Sequence, residues 1–206
     1  MATETGTAKA RRTPRGERTR RRIVAATADL VFERGVAGTT IEAVQESAAV
    51  SASQLYHYFG DKDDLVRAVI GYQAALIIAN QESVSLDSLE GLRSWRDMVI
   101  DLERRRQCRG GCPLGSLGSQ LAETDPRARD DVAAGFSRWE GLIHDGLRSM
   151  QAAGRLAPEA DPAALALATL AALQGGLLLT QMRRDTRPLE TALDAMLTLI
   201  ASFAVT

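Results

Sequence analysis

Ser53, Gln54, Tyr56 and His57 put two hydroxyls, an amide and an imidazole within five consecutive residues. On one exposed helix such groups can bond both phosphate oxygens and the donor and acceptor edges of bases in a major groove. The competing reading of Tyr56, His57 and Tyr58 is the edge of a small aromatic core. A catalytic reading has less to stand on. No phosphate-cradling loop follows a strand, no nucleophile stands beside a base, and no metal cluster can be assembled, so a thiol-dependent reductase built on Cys108 and Cys112 is the enzyme alternative.

The flanking residues supply elements that would position these groups. Ser51 with Gln54 three residues on is a capping box, which opens a short helix through Tyr58, while Val50, Leu55 and Phe59 are spaced to anchor it. Upstream, Thr39 with Glu42 repeats the capping pattern, and Ile41, Val44 and Ala48 form the inward stripe of a helix running to about Ser47. Ala48, Ala49 and Val50 make the turn between them. The result is a helix-turn-helix whose second helix reads DNA. Its expected contacts are Thr39, Thr40, Ser51, Ser53, Gln54, Tyr56, His57 and Lys62.

Val50, Ser51, Leu55, Tyr56, Tyr58, Phe59, Lys62 and Leu65 fill the pattern V-S-x-x-x-L-Y-x-Y-F-x-x-K-x-x-L, followed by a long apolar helix. This pattern resembles the TetR family of one-component transcriptional repressors, over about Arg18 to Ile70. Two positions depart from it, Ala49 and Ser53, where the family often has Gly. An alanine held at positive φ costs roughly 1 kcal/mol, which predicts a turn of different shape. The segment R-G-G-C-P-L-G-S-L resembles a subgroup of the family in which a Gly-Cys-Pro-Leu-Gly motif opens the sixth helix, with Cys112 at that helix's N-terminus.

Net charge is only −1, with hydrophobic residues at 45%, so overall basicity does not mark nucleic acid as a partner. Its distribution does. Lys9, Arg11, Arg12, Arg15, Arg18, Arg20, Arg21 and Arg22 precede the first apolar stripe, beside the reader, where they can neutralise phosphates or enter a minor groove. Residues 1–16 are expected to be a disordered basic arm, 17–62 the DNA-binding domain, and 63–206 a ligand-binding and dimerisation domain.

Strand signals are nearly absent, and periodic apolar segments alternate with Gly, Pro and Asp punctuation, which predicts an all-α fold of about nine helices. The first runs from about Glu17 to Arg34 and stops at Gly35. The fourth runs from Asp61 to about Gln81, the fifth from Asp87 to Gln107, the sixth from Pro113 to Glu123, and the seventh from Pro126 to Gly154. Two more follow, Pro162 to Arg183 and Pro188 to Ala204. The eighth is apolar nearly all round and must be buried on two sides. Its small face and the second edge of the ninth predict a symmetric dimer interface of Ala168, Ala171, Ala172, Gly175, Leu179, Ala192, Ala195 and Leu199. The alternative is a thick monomer core. The family resemblance implies the dimer, with the last two helices paired into a four-helix bundle that spaces two readers for a palindromic operator.

The same resemblance implies an inducer pocket in the C-terminal domain. Trp95, Met98, Phe136, Trp139, Ile143 and Leu178 can line an apolar cavity, with Gln174 or His144 as a polar contact, against the plainer reading of ordinary core. Cys112 joins them through its motif. At a helix N-terminus the dipole favours thiolate, so an electrophile- or oxidant-sensing repressor acting through Cys112 is an alternative to inducer release, and an inert buried thiol a third possibility. No cofactor and no metal are expected. No apolar run reaches a membrane span, the nearest being Ala163 to Thr180, and no signal peptide is evident, which predicts a cytoplasmic protein. An architectural DNA-binding protein without a ligand is the remaining alternative.

Overall fold

A computed structural model describes residues 13–205; Lys9, Arg11, Arg12 and the rest of the expected arm up to residue 12 lie outside the described residues. Nine helices succeed one another among the described residues: α1 (Pro14–Gly38), α2 (Ile41–Ala48), α3 (Ala52–Tyr58), α4 (Lys62–Gln81), α5 (Leu89–Arg105), α6 (Pro113–Leu121), α7 (Pro126–Ala152), α8 (Pro162–Arg183) and α9 (Arg187–Ala201). The one β feature among them is an isolated antiparallel bridge between Leu156 and Ala204.

Helix starts follow residue chemistry closely. Asp61, Ser88, Asp125 and Asp161 each accept first-turn amide protons through their side chains. Five helices also carry proline in the first turn, where a missing N–H costs nothing. The first helix starts earlier than expected, because Thr13 Oγ1 caps Gly16 N–H at 3.2 Å and Pro14 presets the first helical φ. Arg15 and Gly16, assigned above to the arm, are therefore helical. Gly35, at φ 72, breaks the helical geometry within α1 at the expected stop.

Two apolar cores form. One collects Ile23, Val31, Val44, Leu55, Phe59 and Ile70 from α1–α4, but also Leu114 and Leu117 of α6 and Val132 of α7. The other lies among α5, α7, α8 and α9, with Trp95, Trp139, Ile143, Leu147, Leu173 and Leu193 at its centre. Ile77, Cys112 and Phe136 pack against both. Leu114 and Leu117 thus place α6 in the same core as Leu55 and Phe59.

Gly176 of α8 lies against Leu189 of α9, and a methyl added there would stand 2.9 Å from the Leu189 Cα. Small size at this position lets the two helices approach within the chain. Contrary to expectation, α8 is long and apolar enough to cross a membrane by length and composition. Gln174, Gly175 and Gly176 do not dilute its hydropathy sufficiently. Here it packs between α7 and α9, burying Leu165, Leu170, Leu173 and Leu177 and leaving Leu167, Leu178, Leu179 and Met182 exposed.

Candidate nucleic-acid interface and the cavity behind it

The turn between α2 and α3 is closed by two backbone bonds, Val50 N–H to the Gln45 carbonyl at 3.0 Å and Ala49 N–H to the Glu46 carbonyl at 3.2 Å. This is a Schellman closure, and it needs a left-handed residue at Ala49, which adopts φ 49 and ψ 56. The expected change of turn shape does not occur. Satisfying two orphan carbonyls and burying Ala48 and Val50 outweighs the roughly 1 kcal/mol cost of a left-handed alanine.

Helix α3 opens with the expected reciprocal box. Ser51 Oγ accepts the Gln54 N–H at 3.1 Å and Gln54 Oε1 accepts the Ser51 N–H at 3.0 Å. The Gln54 carbonyl is thus committed to the cap, leaving its amide donors for other partners. Leu55 and Phe59 are buried beneath, while Ser53, Gln54, Tyr56 and His57 are exposed. The His57 ring meets Tyr58 edge-on at 5.1 Å, and Tyr58 is half-buried over the start of α1. Arg20 of α1 lies 5.2 Å above the Phe59 ring, a cation–π contact that seats α3 on α1. Arg15, Arg18, Arg21 and Arg22 stay exposed on the first turns of α1.

Two expected DNA contacts sit differently. Thr40, not Thr39, caps α2, accepting the Ala43 N–H at 3.2 Å. Thr39 is 2% exposed and gives its hydroxyl to the Gly35 carbonyl at 2.8 Å, so it closes the kink in α1 rather than facing outward. The cap is displaced by one residue because the chain leaving Gly35 must first be tied back. Lys62, at the start of α4, donates to the Val36 carbonyl at 3.0 Å and bridges α4 to the end of α1.

Behind this surface lies a cavity of about 370 Å³, opening between α4, α5 and the α5–α6 loop. Met98, Cys112 and Trp139, all anticipated, line it. Trp95 does not, because its indole N–H is consumed by Gln81 Oε1 in the closed core. Ile143 is core at 1% exposure and Phe136 fills the junction of the two cores. Leu178 is 57% exposed on the outer face of α8, and Leu177, one residue earlier, takes the wall instead. One residue turns a helix by about 100°, and an all-round apolar helix gives no periodic clue to its orientation. His144 sits beside Asp145 at 3.1 Å and is not among the lining residues.

Cys112 caps α6 with its sulfur, which accepts the Gly115 N–H at 3.3 Å. Gln174 reaches this corner from α8, its Oε1 only 3.1 Å from where a Gly115 side chain would begin. Burial nevertheless pushes the Cys112 thiol above the ordinary range, outweighing the amides of Gly115 and Leu114 that favour the thiolate. The Cys108 thiol, also buried and beside Glu103, is raised too. Both cysteines are free. The positive-φ glycines before Cys112 have steric reasons. A side chain on Gly110 would overlap the Phe32 ring, and one on Gly111 would stand 2.7 Å from Gln181 Oε1.

The chain matches known proteins along most of its length. Residues 23–69 match bacterial regulatory proteins of the tetR family, and residues 88–196 match the tetracyclin repressor-like C-terminal domain. The second span alone exceeds half of the 206 residues. This chain belongs to the TetR family of transcriptional regulators. An HTH-type transcriptional regulator of Lactococcus lactis subsp. lactis, from the lacX 3′ region, is 28% identical over 188 residues, covering 87% of this chain and 92% of its own. A TetR transcriptional regulator from Chloroflexus aurantiacus superposes with TM-score 0.79 at 26% identity, over 93% of this chain and 98% of its own. A TetR-family regulator from Cytophaga hutchinsonii, at 18% identity, shares the fold with TM-score 0.82 over 95% and 100% of the two chains.

For a TetR-family regulator the informative residues that spacing did not single out are polar ones in apolar stripes. Glu103 of α5 is 2% exposed and lines the cavity, with Oε2 unpaired. Gln81 is buried at the end of α4. Gln120, on the last turns of α6, reaches α1. A carboxylate on the inward stripe of an amphipathic helix is the signal that would have found Glu103, since such groups are almost never buried without purpose.

Proposed function

We propose that this TetR-family protein is a repressor that binds a palindromic operator as a homodimer and is released by a small-molecule inducer held in the 370 Å³ cavity. The observation that carries the reading is the α3 face. The side chains of Ser53, Tyr56 and His57 are exposed and make no hydrogen bond among the described residues, while buried Leu55 and Phe59 fix the helix beneath them. A short helix held this rigidly, with polar side chains directed to solvent, suits a major groove. The arginines on the first turns of α1 suit the flanking phosphates. Ser51 and Thr40, occupied as caps, serve by presenting helix N-termini to phosphate. The working units are residues 17–62 as reader and 63–206 as body, acting in the cytoplasm.

The dimer is supported by the exposed apolar face of α8 and α9. Leu167, Leu178, Leu179 and Met182 are 46% or more exposed there, with Ala171, Gly175, Ala195 and Leu199 exposed beside them and Ala168, Ala172 and Ala192 half-buried. A contiguous apolar face of this kind fits a two-fold interface between copies. Inducer rather than thiol chemistry is favoured by the raised Cys112 thiol, since the nucleophilic thiolate is disfavoured there.

Footprinting on DNA flanking the gene tests the reading. A protected inverted repeat is expected, and Tyr56→Ala should weaken binding to it at least about tenfold, as loss of a base or phosphate contact would. Unchanged affinity in Tyr56→Ala and His57→Ala would remove α3 as the reader. Release by small molecules should persist in Cys112→Ser; loss of release there would restore the thiol alternative.

A further inference from the structure

On the inducer reading above, the ligand chemistry of the cavity turns on Glu103. That side chain is 2% exposed on the cavity wall, with Oε2 lacking any hydrogen-bond partner. Its other oxygen lies 3.8 Å from the Arg106 guanidinium, too far for a hydrogen bond. A buried carboxylate oxygen left without a donor is costly, and a bound donor would relieve that cost.

Neighbouring groups narrow the donor. Met98, Val99, Leu102 and Leu177 give the cavity an apolar wall suited to a hydrocarbon or aromatic body. The indole N–H of Trp139, 4% exposed on the same wall, is also unpaired and asks for an acceptor rather than a second donor. The guanidinium groups in the lining, Arg105 and Arg106, are exposed and half-exposed, so positive charge sits towards solvent and the buried charge is negative. A hydroxyl would fill one lone pair of Glu103 and leave its charge facing only the Arg106 guanidinium at 3.8 Å; an ammonium both donates and neutralises, through a charge-assisted bond.

We propose that the cavity binds a small amphipathic amine, its protonated nitrogen donating to Glu103 and its apolar body lying against Met98, Leu177 and Trp139. The volume falls within the range of small-molecule sites.

Three probes of similar size separate the possibilities: phenethylamine, 2-phenylethanol and phenylacetate, titrated calorimetrically into the 206-residue chain at neutral pH. Phenethylamine should bind, with 2-phenylethanol about tenfold weaker and phenylacetate weaker still. Glu103→Gln should abolish the preference for amine over alcohol while melting cooperatively. Equal binding of amine and alcohol, tightest binding of phenylacetate, no binding of the amine at millimolar concentration, or an amine preference that survives Glu103→Gln would each overturn the proposal. If that variant does not fold, the ranking in the unsubstituted protein decides. Operator binding is read separately. Glu103-dependent amine binding that leaves operator affinity unchanged supports this site and refutes its role as inducer pocket.

Discussion

Gln120 Oε1 accepts the backbone N–H of Val36 at 2.9 Å, joining the last turns of α6 to the end of α1. The carbonyl of the same residue is held by Lys62 at 3.0 Å. Val36 is thus fixed by α6 on one side and α4 on the other, just where Gly35 turns the chain toward α2. At its other end α6 begins with Cys112 and Pro113, which line the cavity. One helix therefore touches both the cavity and the end of α1, and whether that contact carries coupling is decided by substitution.

Gln120→Ala is expected to leave the fold intact, since the Val36 N–H is at the surface and water can replace the lost partner. Operator affinity should fall about fivefold or more, measured by fluorescence anisotropy on the footprinted site. Ser119→Ala, at an exposed neighbour, should change nothing. Equal affinities for all three proteins would mean that this contact carries no coupling.

Ala49 tests the turn. Glycine has no Cβ to crowd the carbonyl in the left-handed region, so Ala49→Gly should stabilise the protein by about 1 kcal/mol and Ala49→Val should destabilise it by more. Urea unfolding midpoints check both. A loss of stability in the glycine variant would show that unfolded-chain entropy outweighs the strain.

Glu103 sets a pH dependence. Burial pushes its carboxyl above the ordinary range, with Arg106 pulling the other way more weakly. The folded state then binds this proton more tightly than the unfolded chain does. Its contribution to stability is complete below the ordinary carboxylate pKa of about 4.3 and is lost as pH rises through the raised folded value. Glu103→Gln removes that loss and should be more stable than the parent at pH 7 by about 1 kcal/mol. The advantage should vanish near pH 4. Thermal melts across that window decide it, and a constant difference at both ends would assign the effect to packing instead.

The outer face of α8 gives the fourth test. Leu178 is 57% exposed in the single chain, so Leu178→Glu should cost the protomer's fold little while placing two like charges across a two-fold interface. Analytical ultracentrifugation at micromolar concentration should find a monomer, with operator affinity reduced at least about tenfold through loss of bivalent binding. A dimer that persists would locate the interface elsewhere.

Much of this protein was legible in residue order because the deciding physics is local. Ser51 and Gln54 cap α3 through atoms three residues apart, proline and aspartate mark helix starts, and Leu55 and Phe59 anchor the reader by helical spacing. Such interactions close within one turn and need no distant partner. What depended on distant partners was decided only by the tertiary structure. Thr39 is buried because it must tie back the Gly35 kink, and Lys62 and Gln120 meet at Val36 although they lie 26 and 84 residues from it in the chain. Leu177 faces the cavity and Leu178 the solvent because α8, apolar on all sides, takes its rotation from α7 and α9 rather than from its own periodicity. Residue order was enough for a TetR-type helix-turn-helix and for the nine helices among the described residues; long-range packing chose which buried polar groups, Glu103 and Trp139 among them, were left unpaired.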